Sequence, residues 1–139
     1  MNTTIRNIVA VIVGLIVGSG VNMGLILLGP SIIPPPPGVD VSDPESISAS
    51  MHLFETKHYV FPFVAHALGT LAGAVAAFLV AASHRVQIAY IIGAAFFAGG
   101  AAASFMIPAP KWFVIVDLVF AYFPMAWIGK ELAVRVTRR

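Results

Sequence analysis

Three polar side chains stand inside long apolar runs of this sequence: Asn22, His66 and Asp117. A fourth, Ser104, lies near the end of another such run. A charge placed in hydrocarbon costs roughly 2.5–3.5 kcal/mol on insertion scales. Asp117 therefore needs a partner, and His66 is the natural one. Ionised together they form an ion pair; with one proton fewer, a neutral imidazole still donates to the carboxylate. Histidine is the side chain that changes charge nearest neutral pH, so such a pair can hold or release a proton. Asn22 can accept from and donate to both. The same residues also fit a structural role as hydrogen-bonded glue between helices, worth about 0.6 kcal/mol per bond in membrane bundles.

A second constellation has the residue types of a metal site. Glu55-Thr56-Lys57-His58 carries the Glu-x-x-His spacing that sets carboxylate and imidazole on one helix face, as in carboxylate-bridged metal bundles. His52 lies three residues before Glu55. With His66 and Asp117 these make an imidazole and carboxylate set suited to a divalent metal such as zinc, iron or copper. A complete di-metal centre needs a second such motif and further glutamates inside the bundle, and the other apolar runs supply none. His52, Glu55 and His58 therefore read more readily as solvated or headgroup-facing residues, and His84 beside Arg85 as an interfacial one. Other catalytic patterns are missing. Gly14, Gly18, Gly20 and Gly24 lie in an apolar run with no lysine to complete a phosphate loop. There is no Gly-x-Ser-x-Gly elbow and no His-Glu-x-x-His.

The composition says what must position these residues. Of 139 residues, 59% are hydrophobic and 10% charged, against about 25% charged in soluble domains. Eight Lys and Arg, scattered along the chain, make no basic face for nucleic acid. The absence of cysteine excludes disulfides, thiol redox chemistry, Cys-ligated zinc and iron–sulfur clusters. An integral membrane protein remains. A membrane-spanning helix needs about 20 apolar residues, and four segments supply them: about 5–28, 59–82, 86–107 and 112–130. The expected fold is an all-α bundle of four transmembrane helices in one domain over 1–139. Gly29-Pro30, Ser83-His84-Arg85 and Pro108-Ala109-Pro110 punctuate it.

Basic residues near helix ends set the expected orientation. Arg6, Arg85, Lys130, Arg135, Arg138 and Arg139 fall on one side, and Lys57 and Lys111 on the other. Both termini are thus expected in the cytoplasm, in a bacterial plasma membrane. Arg6, the run from Ile8 to Val17 and Gly18-Ser19-Gly20 imitate a secretory signal peptide. The apolar pattern continues through Leu28, however, well past a cleavage point.

The outer segment, 29–58, begins with a stiff Pro34–Pro37 run expected in polyproline II. Asp43-Pro44-Glu45 reads as a helix start. Ile47, Met51 and Phe54 then recur at helical spacing, so a short amphipathic helix is expected from Pro44 to about Glu55. It lies either on the membrane surface or as a lid on the bundle. Small residues mark the expected helix contacts: Gly14 and Gly18 with Asn22; Gly69, Thr70 and Gly73 with His66; Gly93 and Gly100 with Ser104; Ala121 with Asp117, and Pro124 as a kink.

At about 1.5 Å per residue, Asn22 and His66 both lie about 9 Å below the outer boundary, Asp117 about 7.5 Å and Ser104 about 4.5 Å. The expected site is thus Asn22, His66, Asp117 and Ser104 near the outer face, binding or moving a proton, ion or small molecule. The alternatives are an accessory subunit of a larger membrane complex, with these residues as glue, and a metal-dependent membrane enzyme. Four helices barely enclose a transport path, so a carrier role implies a homo-oligomer.

Overall fold

The computed structural model describes residues 2–139, which form helices and turns with no strand among them. Helix α1 spans Thr3–Ile32, α2 Pro44–Ala49, α3 Val60–Val80, α4 Arg85–Met106, α5 Lys111–Phe120 and α6 Phe123–Thr137. Short 3₁₀ turns at Met51–Leu53 and Thr56–Tyr59 lead into α3. Four stretches are long and apolar enough to cross a membrane: Thr3–Ile32, Thr56–Val80, Arg85–Met106 and the α5–α6 run Lys111–Thr137.

Three elements differ from expectation, each for a local reason. Helix α1 does not stop at Gly29-Pro30 but continues to Ile32. Proline there forfeits only one backbone bond in a terminal turn that Ile33 closes onto the Gly29 carbonyl at 2.8 Å. The fourth run is two helices, not one kinked at Pro124. Pro124 cannot donate to the Phe120 carbonyl, so the chain breaks at Ala121-Tyr122 and restarts with Pro124 in the first turn of α6. Helix α2 ends at Ala49 instead of running on towards Glu55. Asp43 caps it as expected, its side chain accepting from the Glu45 amide at 3.0 Å. Serines at 46, 48 and 50 favour competing local bonds over helix, and Ser46 Oγ accepts from the Asp40 amide at 3.0 Å.

Helix α3 is the central post, packing against α1, α4 and α6. Its contact with α1 is made by glycines. A Cβ on Gly18 would meet the Gly69 carbonyl oxygen at 2.7 Å, and one on Gly69 would meet the Gly18 carbonyl oxygen at 2.8 Å. Only residues without side chains let the two backbones approach so closely. Gly93 likewise admits Ala126 of α6, and Gly129 admits the backbone at Leu71.

At one end of the bundle, the turn after α3 is tied to α1. Arg6 Nε donates to the Val80 carbonyl at 2.8 Å, and Asn7 Oδ1 accepts from the amides of Ala82 and Ser83 at 3.0 and 3.2 Å. Arg85 Nε donates to the Ala81 carbonyl at 3.0 Å. Two guanidinium groups thus cover the negative end of the α3 dipole. Ala133 of α6 packs with Phe78 and Ala89 at this same end, so both chain termini lie there.

Residues 33–59 fold over the opposite end as a lid. The proline run closes in a turn, with the Val39 amide donating to the Pro36 carbonyl at 3.2 Å and Gly38 at a φ of 81°. That positive φ suits a glycine following a proline. Ile47, Met51 and Phe54 turn inward over the bundle end.

Candidate functional site

Helix α3 carries His66 and Thr70 one turn apart, and Thr70 satisfies its buried hydroxyl by donating to the His66 carbonyl at 2.8 Å. Helix α5 carries Asp117, which is buried. The break between α5 and α6 brings Tyr122 back over the same point. His66 Nδ1 lies 2.8 Å from Asp117 Oδ1 and 3.0 Å from Oδ2. Tyr122 Oη donates to Asp117 Oδ2 at 2.8 Å and lies 3.1 Å from His66 Nδ1. The two rings stack at 5.9 Å with 27° between their planes. Gly100 of α4 makes room for the tyrosine hydroxyl, since a Cβ there would collide with it.

Hydrogen-bond roles follow from donor inventory. A carboxylate only accepts, so Nδ1 of His66 carries the hydrogen, and in the neutral form of the ring Nε2 presents a lone pair. Nε2 makes no hydrogen bond to any described residue. The His66 side chain is 26% exposed and opens onto a cavity of about 490 Å³. Apolar side chains of α1, α4, α5 and the lid form most of that cavity's walls.

Each expected site residue can now be placed. His66 and Asp117 are joined directly. Ser104 lines the same cavity, with its hydroxyl donating to the Ala101 carbonyl of its own helix at 2.7 Å. Asn22 does not join them. It packs against Gly69, and its buried Oδ1 has no partner among the described residues. Tyr122 was missed. Five residues after Asp117 in an unbroken helix it would point about 140° away; only Pro124, two residues on, hints at the break that returns it.

The metal set does not assemble. His52 is exposed, Glu55 pairs with Lys57 at 3.5 Å, and both nitrogens of His58 are occupied. His58 Nδ1 accepts from the Glu55 amide at 2.8 Å, while Nε2 lies 3.2 Å from the Pro34 carbonyl, to which it donates. The Glu-x-x-His spacing falls on a 3₁₀ turn, where it builds a local cap that fastens the lid to the proline run. Among the described residues no group of three or more His, Asp or Glu could hold a metal ion.

The chain matches no family model, no curated protein and no solved structure. Its chemistry must be read from the site itself. An imidazole held by a carboxylate at one nitrogen and free at the other is oriented to accept a proton or a hydrogen bond from a neighbour. Elsewhere, in the lid, the Asp40 carboxyl is held below its ordinary value. The Ser42 hydroxyl donates to it at 2.6 Å and the Ser42 amide at 2.9 Å.

Proposed function

We propose that this chain is a multi-pass protein of the bacterial plasma membrane that binds a small molecule at His66. Both termini lie in the cytoplasm, and the lid and cavity belong to the outer half of the bilayer. The basic residues at the terminal end of the bundle support that orientation. One observation carries the reading: a histidine fixed at Nδ1 by Asp117 and Tyr122, with no bond at its other nitrogen, lines a 490 Å³ cavity. That volume falls in the range of about 300–1,000 Å³ usual for small-molecule sites. Asp117 and Tyr122 are positioning residues, and His66 meets the ligand.

Native mass spectrometry in mild detergent, beside thermal melting with a panel of small alcohols and phenols, tests this. The wild-type chain is expected to carry a small-molecule adduct or to be stabilised by a panel member, and His66→Phe to lose both. A wild-type chain with no adduct and no stabilisation by any compound overturns the reading.

A second reading has its own support. Helix α5 packs only lightly on α3 and α4, so the bonds from Asp117 to His66 and Tyr122 are a substantial part of what holds it. In that case the cluster is glue, and the chain is a subunit docking a second copy or a larger membrane complex through its small-residue and apolar faces.

A further inference from the structure

The cavity beside His66 is closed at the end of the bundle and open at its side. Val41, Ile47, Met51 and Phe54 of the lid roof it. Helices α1 and α4 both supply walls of the cavity, and they touch in the half away from the lid. There Gly14 lies against Ile92 and Gly18 against Phe96, at 2.8 and 2.7 Å from an added Cβ. Towards the lid the cavity lies between the two helices, lined by Ile26 and Leu27 of α1 and by Ala103 and Ser104 of α4. Leu27 of α1 and Ala103 of α4 line the cavity and are both exposed, Leu27 at 70%. The gap between them therefore faces whatever surrounds the helices, and apolar side chains flank it.

The charge around the cavity restricts what can enter. Its ionisable wall residues are His58, Tyr59, His66 and Asp117, with no lysine or arginine. An anionic head such as a phosphate or carboxylate would meet no lysine or arginine and would lie near a carboxylate. A cationic head would find Asp117 already bonded to His66 and Tyr122. A neutral head with an O–H donor matches the lone pair at Nε2.

We infer that the cavity takes a membrane-borne amphiphile with an apolar body and a hydroxyl head, which enters sideways between α1 and α4 and donates to His66 Nε2. This rests on the small-molecule reading of the same site. A hydroxyl on an apolar body could also arrive from water, and the choice of source follows from the lid, which covers the bundle end while the side gap stays open.

The test uses the full chain in lipid nanodiscs with ¹⁵N-labelled histidine, following the His66 Nε2 resonance. Three probes are compared: 1-dodecanol, its methyl ether, and benzyl alcohol added from the aqueous phase. Dodecanol is expected to shift the resonance saturably and the ether to leave it unmoved. Ala103→Phe, which fills the side gap from an exposed position, is expected to weaken the dodecanol response at least tenfold. Leu27→Trp repeats this from the facing wall should the first variant not fold. An ether as effective as dodecanol overturns the hydroxyl head, and a dodecanol response unchanged in both variants overturns the sideways entry. A shift with benzyl alcohol alone overturns the amphiphile but leaves the small-molecule reading standing. No shift with any probe overturns both.

Discussion

At the scale of single residues, magnitudes separate the two roles of the His66 cluster. His66→Phe strands the Asp117 carboxylate in a buried position, and breaking a buried pair this way typically costs about 3–5 kcal/mol. His66→Phe combined with Asp117→Leu removes both partners and is expected to recover most of that loss. Tyr122→Phe deletes one hydroxyl and should cost about 1 kcal/mol. Equilibrium unfolding in detergent measures all three. If Asp117→Asn lowers stability but leaves ligand binding intact, the cluster is glue; if it also weakens binding, the carboxylate positions a working histidine. The pairing was legible in the sequence because an isolated carboxylate in an apolar run demands a partner, and His66 stood at a similar depth. Tyr122 was not legible, because its place depends on a backbone break that helical periodicity does not encode. Asn22 stands apart from the pair because it packs against Gly69, three residues beyond His66 on α3.

At the scale of elements, glycine position matters more than glycine number. Gly18→Ala sets a methyl 2.7 Å from the Gly69 carbonyl and the Phe96 ring, whereas around Gly20 there is nothing within 4 Å. Overpacking of this kind costs about 1–3 kcal/mol. Gly18→Ala is thus expected to lower the melting temperature clearly, and Gly20→Ala to leave it level or raise it slightly, since alanine is the better helix former. Equal effects would mean that α1 and α3 do not meet through this stripe. The four long apolar stretches and the stripe could be read from sequence because hydropathy and small-residue spacing are properties of one helix at a time. The lid could be read only in part. Inward-facing Ile47, Met51 and Phe54 follow from their spacing, but the end of α2 is set by the competition between serine side chains and backbone. The role of His58 depends on Pro34, a residue 24 positions away.

At the scale of the whole molecule, the lid keeps its shape through few polar ties, and His58 supplies two of them, to Glu55 and to Pro34 within the lid itself. His58→Ala is expected to leave the helices intact and to expose residues 33–55 to protease several-fold faster. In sealed vesicles that cleavage should occur only from the side opposite the termini. Cleavage from the terminal side would reverse the proposed orientation. The light packing of α5 also bears on how the chain is made. Chains are synthesised from the N-terminus, and earlier segments can begin to fold first. Helices α1 and α3 can therefore close on their glycines before α5 has left the ribosome. His66 must then wait without its carboxylate partner until translation has advanced the 51 residues to Asp117. The acid, by contrast, arrives at a bundle that already holds its base. Assembly thus has a built-in order, in which the costliest side chain follows its histidine partner and its docking fastens the final hairpin.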